Sequence, residues 1–285
     1  MIRLILLGVL SGAFFSSTFI LNEVMSVSGG HWLWSASLRY FFMILFLALI
    51  LFFQGGIQRL IDIYKLFLSN YVFWTISGTI GFGFFYALIC FSADFSPAWV
   101  IAATWQFTVV STLFVLMFFG KKFPKKIWAF SIIIFIGVCL VNLSHIDTFD
   151  IKALLLGGFP ILIASFCYPI GNQLVWEAKN GNHKNVPKIT SKLLNNAFNK
   201  VFLLSIGSLP LWFILLAIIQ PQAPSNSQVI NTALVAIDAT QASEVVFAIL
   251  GGMIFLGNTS LNLISIIGLS LIMIGLFLFT KYQNA

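Results

Sequence analysis

Residues 33–53 read LWSASLRYFFMILFLALILFF, a run of 21 residues with Arg39 as its one charge. A helix crossing the hydrocarbon core of a bilayer needs about 20 mostly apolar residues, and this stretch meets that length. The pattern recurs along the 285-residue chain. Apolar runs fall at about 4–24, 69–92, 97–119, 127–143, 153–175, 201–220, 231–256 and 260–280. The expected fold is all-α, a polytopic transmembrane helix bundle of about nine spans.

Composition excludes the alternatives. The chain is 60% hydrophobic and 8% charged, and 23 charged side chains cannot cover the surface of a 31.7 kDa globule. A typical soluble domain carries roughly 25% charged residues. Thirty-two Phe and eight Trp exclude disorder, because such side chains bury themselves wherever they can. The first run, Leu4 to Val24, is too long for the apolar region of a secretory signal and lacks a small-residue exit; it reads as the first span. Cys90, Cys139 and Cys167 all lie inside apolar runs and read as small core residues.

The charges set the orientation. With the N-terminus inside, Arg3, Arg59, Lys65, Lys121, Lys122, Lys125, Lys126, Lys179, Lys184, Lys188, Lys192 and Lys200 fall inside, twelve of the fifteen basic residues. The outside loops up to Gln228 hold only Lys152. Cytoplasmic loops are enriched in Lys and Arg, so the net charge of +7 belongs to topology. Nucleic-acid binding would need a continuous basic face, which the chain lacks. Segment Ile57–Leu68 alternates apolar and charged residues at helical spacing and is expected to lie along the cytoplasmic interface. Glu177–Asn199 reads as a cytoplasmic loop with a partly helical end.

The chain repeats weakly in two halves, expected at 1–145 and 151–285. Gly8 and Asn22 are spaced as Gly158 and Asn172 are. Ala103-Thr104 and Val109-Val110 match Ala239-Thr240 and Val245-Val246 at one offset, which Phe119 and Phe255 continue. Ile136-Gly137 and Ile274-Gly275 follow two residues further along. Five spans precede the second copy, so the copies are expected to be inverted, as in many secondary transporters. The second copy has only four spans. Its missing helix should lie between Ile219 and Val235, where the polar QPQAPSNSQ leaves no room for one.

Three blocks carry a family resemblance: SGAFFSSTFILN (Ser11–Asn22), GGHWLWSASLRYFFM (Gly29–Met43) and AIDATQASEVVFAILGG (Ala236–Gly252). In these the chain resembles the drug/metabolite transporter superfamily, specifically its multidrug-resistance efflux branch of ten-span proteins. The resemblance extends over nearly the whole chain. It implies two inverted five-helix repeats around a central cavity and export of a small organic substrate, here across the bacterial plasma membrane. It departs from the family pattern where TALVA runs directly into IDATQ, which omits a span.

Ionisable groups inside a membrane cost about 2.5–3.5 kcal/mol at the helix centre on insertion scales, so each is a functional candidate. Arg39 reads either as a counter-ion for an acidic partner or anionic substrate, or as a bundle-buried residue that fixes its helix. Glu244, with Gln241 one turn before it, is the candidate proton-coupling carboxylate; its alternative is a neutral Glu bonded to a neighbouring helix. Asn22, Asn172, Trp105, Gln106 and Tyr168 complete the candidate substrate and coupling set, with Trp34, Tyr40 and Gln173 as further cavity residues. Each aromatic reads equally as packing. Glu23 reads as an interfacial charge and Asp238 as an end-of-helix charge. Gly78, Gly81 and Gly83 read as close helix packing. His31, His145 and His183 have no metal-ligand spacing, no cofactor motif is present, and the absence of a phosphate-binding loop excludes an ATPase. The expected partners are the lipid bilayer, a small organic substrate and protons. The expected function is a secondary transporter, with a non-transporting membrane protein that has lost a helix as the alternative; a membrane-embedded enzyme finds no supporting cluster.

Overall fold

The computed structural model describes residues 16–144, 154–181, 183–236 and 263–283. These residues form helices throughout, with no strand among them. In chain order they are α1 (16–27), α2 (Trp32–Ser69), α3 (Tyr71–Ser92), α4 (Ala98–Phe118), α5 (Lys125–Ser144), α6 (Leu154–Asn180), α7 (Ala197–Ile219), α8 (Asn226–Val235) and α9 (Leu263–Gln283). Six of them, α2 to α7, are long and apolar enough to cross a membrane. The chain is a polytopic helical bundle. Glu244, Gln241 and Asp238 fall outside the described residues, as do Gly8 and His145.

The helix ends follow local chemistry. His31 Nδ1 accepts from Leu33 N and caps α2; Asn196 Oδ1 accepts from Phe198 N and caps α7; Ser225 Oγ accepts from Gln228 N and caps α8. α2 is interrupted at Gly55 and Gly56, where Gly56 takes φ 66° and ψ −170°. That conformation is open to glycine and strained for other residues. Beyond it the expected interfacial segment is helical, burying Ile63 and holding Asn199 Oδ1 through Arg59 Nη2 at 3.1 Å.

α3, α4 and α6 also carry defects, and in a lipid environment the backbone groups they free need partners. α3 widens into a π-helical stretch at Thr79–Phe84. α4 breaks after Trp105, and helix resumes at Thr108. Around that break the Thr104 and Thr108 hydroxyls donate to the carbonyls of Val100 and Trp105. In α6, Pro169 deprives the Ser165 carbonyl of its donor four residues on. The Ser111 hydroxyl of α4 donates to that carbonyl instead.

The glycines of α3 serve packing. A Cβ on Gly81 would come within 2.7 Å of Gly171 Cα, and one on Gly78 would strike the Leu204 carbonyl of α7. α3 therefore touches α6 and α7 backbone to backbone, in the small-residue packing of membrane helices. α5 and α9 pack in the same way through Gly137, Gly268 and Gly275.

Two expected boundaries differ. The helix expected at 231–256 begins at Asn226, because Ser225 caps it five residues earlier. α6 continues past its expected end at 175 to Asn180, stopping at left-handed Gly181. The segment 183–191 folds back over that end, with Ile189 N donating to the Ala178 carbonyl.

Candidate functional site

The middle of the bundle holds a buried charge. Arg39 lies seven residues into α2, and only 6% of its surface is exposed. Its Nη1 donates to Tyr86 Oη at 2.9 Å and to Thr18 Oγ1 at 3.1 Å. The guanidinium carbon stands 4.3 Å from the centroid of the Tyr86 ring, within reach of a cation–π attraction. Asn22 of α1 completes the network, its Nδ2 donating to Tyr86 Oη at 3.2 Å. One tyrosine thus ties α1, α2 and α3 together.

An aromatic group adjoins this network. Phe85, next to Tyr86 in α3, has its ring 4.9 Å from Trp105 and 5.2 Å from Tyr168. Trp105 and Tyr168 meet edge to face at 5.8 Å. On the other side of Tyr86, Tyr40 stacks on Trp212 at 5.3 Å. Trp105 ends the first half of α4, and Gln106, buried in the break, donates to the Ala102 carbonyl. The helix defects of α3 and α4 therefore flank the same aromatic cluster.

Of the expected site residues, the structure brings together Arg39, Asn22, Trp105, Tyr168 and, in the adjacent break, Gln106. Asn172 lies apart, exposed on α6 with its amide donating to the Tyr168 carbonyl. Trp34 donates to the Gln222 carbonyl near the α7–α8 connection, and Gln173 donates to Glu177. Tyr86, Phe85 and Thr18 were not expected. The sequence signal for the first two is TIGFGF, a glycine-spaced stretch that admits the π-helical turn just before them.

The far end from the lysine loops is tied by polar contacts. Glu23 Oε2 accepts from Ala98 N at the start of α4, at 2.5 Å. This carboxylate caps a helix rather than lying free at the interface. Ser26 donates to Asp94 at 2.6 Å. Partial burial raises the Asp94 carboxyl above its ordinary range, opposed by the Ser26 hydrogen bond and by His31. Gln228 of α8 donates to the His31 carbonyl and to Ser35. Among these groups lies a cavity of about 410 Å³.

A buried polar network beside an aromatic cluster, enclosed by interrupted spans, is the construction of a membrane transporter's interior. The chain belongs to the EmrE family described as "Putative multidrug resistance efflux transporter", which matches residues 2–237 and again 235–285. It is 32% identical to "Uncharacterized protein YjlA" of Bacillus subtilis (strain 168), over 98% of this chain and 94% of that one. It is 31% identical to an "Uncharacterized 42.1 kDa protein in intracellular alkaline protease 3'region" of Shouchella clausii, over 86% of this chain and 64% of that one. The alignment with the Bacillus protein runs over 320 positions, 35 more than this chain's 285 residues. That relative therefore carries at least 35 residues, in one or more places, with no counterpart here. The family match divides at residues 235–237, where α8 ends after ten residues, about 15 Å, against a hydrocarbon core of about 30 Å.

Proposed function

We propose that the protein is a secondary-active exporter of small organic compounds, working by alternating access in the bacterial plasma membrane with its N-terminus inside. The observation that carries this reading is the Arg39–Tyr86–Asn22 network abutting Phe85, Trp105 and Tyr168 at the defects of α3 and α4. Aromatic faces hold an organic body, and the polar network beside them fixes its orientation. Interrupted helices let the two sides of such a site move separately. Glu244, one turn after Gln241, supplies the proton-coupling carboxylate in this reading.

The test is uptake of a fluorescent organic compound into proteoliposomes under an imposed pH gradient. Wild type accumulates it, Trp105→Ala and Tyr168→Ala raise its KM, and Glu244→Gln abolishes the gradient-driven component. Unchanged uptake in Glu244→Gln removes that residue from coupling. The second reading is a protein that has lost transport together with a helix, favoured by the division of the family match at 235–237. Inserting one further apolar span there separates the two: transport only by the extended form supports the second reading.

A further inference from the structure

The end of the bundle away from the lysine loops holds a further cavity, of about 270 Å³, between the close of α5 and the start of α6. Phe135 and Leu143 of α5 line it with Leu155, Phe159 and Leu162 of α6. Leu143, Leu155 and Phe159 are also exposed on the outer surface of the bundle, so the cavity opens sideways, towards lipid. Among its described lining residues, Asn142 carries the one amide.

Asn142 is only 9% exposed, and its neighbours fix which way that amide points. The Thr104 hydroxyl donates its single hydrogen to the Val100 carbonyl at 2.7 Å, so towards Asn142 it can only accept. The Val138 carbonyl can only accept as well. Both therefore meet the amide nitrogen Nδ2, Thr104 Oγ1 at 2.7 Å and the Val138 carbonyl at 2.9 Å. The two N–H groups are spent. What Asn142 presents to the cavity is its carbonyl oxygen Oδ1, which accepts from no donor among the described residues.

Gly158 keeps that oxygen uncovered. It lies against Oδ1 so closely that a Cβ at this position would strike it. α6 opens with the π-helical turn Leu154–Gly158, which ends on this glycine; such turns recur at functional sites. A buried acceptor facing hydrocarbon without a donor is costly, and a ligand that brings the donor removes the cost.

We infer that the α5–α6 cavity is a binding site for a neutral apolar molecule with one hydrogen-bond donor, a substituted phenol or similar alcohol, whose hydroxyl donates to Asn142 Oδ1. A dry cavity of roughly 150 Å³ takes benzene, so about 270 Å³ admits one substituted ring. The site carries no charge, shares no residue with the Arg39 network, and binds whether or not the protein is an exporter.

Equilibrium dialysis of the full chain in detergent micelles at neutral pH, corrected with protein-free micelles, tests it. The probes are 4-tert-butylphenol and 4-tert-butyltoluene, which replaces the hydroxyl by a methyl group. Wild type is expected to bind the phenol about fivefold or more tightly than the hydrocarbon. Asn142→Leu, close in shape, removes the acceptor and should bring the two probes within about twofold of each other. Gly158→Ala leaves Asn142 present and covers Oδ1 with a methyl group; it should weaken the phenol and spare the hydrocarbon. Cys139→Trp, which fills the cavity from its α5 wall, should abolish binding of both. The inference is overturned if wild type binds neither probe, or if Cys139→Trp retains the phenol. It is overturned equally if the hydrocarbon binds as tightly as the phenol, which makes the cavity a crevice for lipid tails, or if Asn142→Leu or Gly158→Ala keeps the wild-type preference.

Discussion

Replacing Tyr86 by Phe removes one oxygen atom from the centre of the bundle and leaves the ring in place. That oxygen accepts from Arg39 at 2.9 Å and from Asn22 at 3.2 Å, and Tyr86 is fully buried. A hydrogen bond to a charged group contributes about 1.5–3 kcal/mol. Neutral interhelical bonds in membranes average about 0.6 kcal/mol. The hydroxyl is therefore worth about 2–3.5 kcal/mol to the fold. Tyr86→Leu also removes the face under the guanidinium, whose attraction is about 2 kcal/mol when desolvated. It should cost at least 1 kcal/mol more than Tyr86→Phe. The assay is reversible unfolding in mixed micelles titrated with SDS, followed by circular dichroism. A Tyr86→Phe midpoint within about 0.5 kcal/mol of wild type would refute the assignment of Tyr86 as the tie between Arg39 and Asn22. Equal costs for the two variants would refute the cation–π part.

Three further outcomes follow from other parts of the structure. Gly207→Ala places a methyl group against the Trp74 carbonyl and should cost about 1–3 kcal/mol. Gly29→Ala meets nothing within 4 Å and carries only the strain of φ 79°, about 1–2 kcal/mol; the same unfolding titration compares them. For Asp94, whose folded pKa is raised, the destabilisation from burying the charge is present above that folded value and disappears as pH falls towards its unfolded value. Asp94→Asn should therefore flatten the gain in melting temperature that wild type shows between neutral and mildly acidic pH. Fusions of alkaline phosphatase should be active after Ala223 and inactive after Lys122, placing the α7–α8 connection outside and the α4–α5 loop inside.

The bundle was legible because span length and composition are dictated by the bilayer. The helix over Ile57–Leu68 was legible for the same kind of reason, charges at helical spacing after an apolar run, whereas the Gly55-Gly56 break before it was not read from the sequence. Arg39 announced itself as a charge in an apolar run. Tyr86 did not, since nothing local distinguishes it from other aromatics in a chain with 32 Phe. Only the π-helical turn before it sets the face it presents. Glu177 was read as the start of a polar loop, because EAKNGN is loop-like in composition. α6 instead runs on through it to Asn180, and segment 183–191 folds back onto that end, a contact that local sequence does not encode. Gln173 and Glu177, four apart on an otherwise apolar helix, were the available hint.

The meeting of Gly81 with Gly171 has a mechanical consequence. Where helices interlock through side chains, ridges seated in grooves resist rotation; two bare backbones present no teeth. The contact acts as a fulcrum, with Pro169 beside it already lacking one rung of the α6 ladder. On one arm Glu177 is six residues away, about 9 Å, and on the other Phe159 is twelve residues away, about 18 Å. A tilt of about 10° moves the first by roughly 1.5 Å and the second by roughly 3 Å in the opposite sense. Narrowing one mouth of the bundle by this lever widens the other.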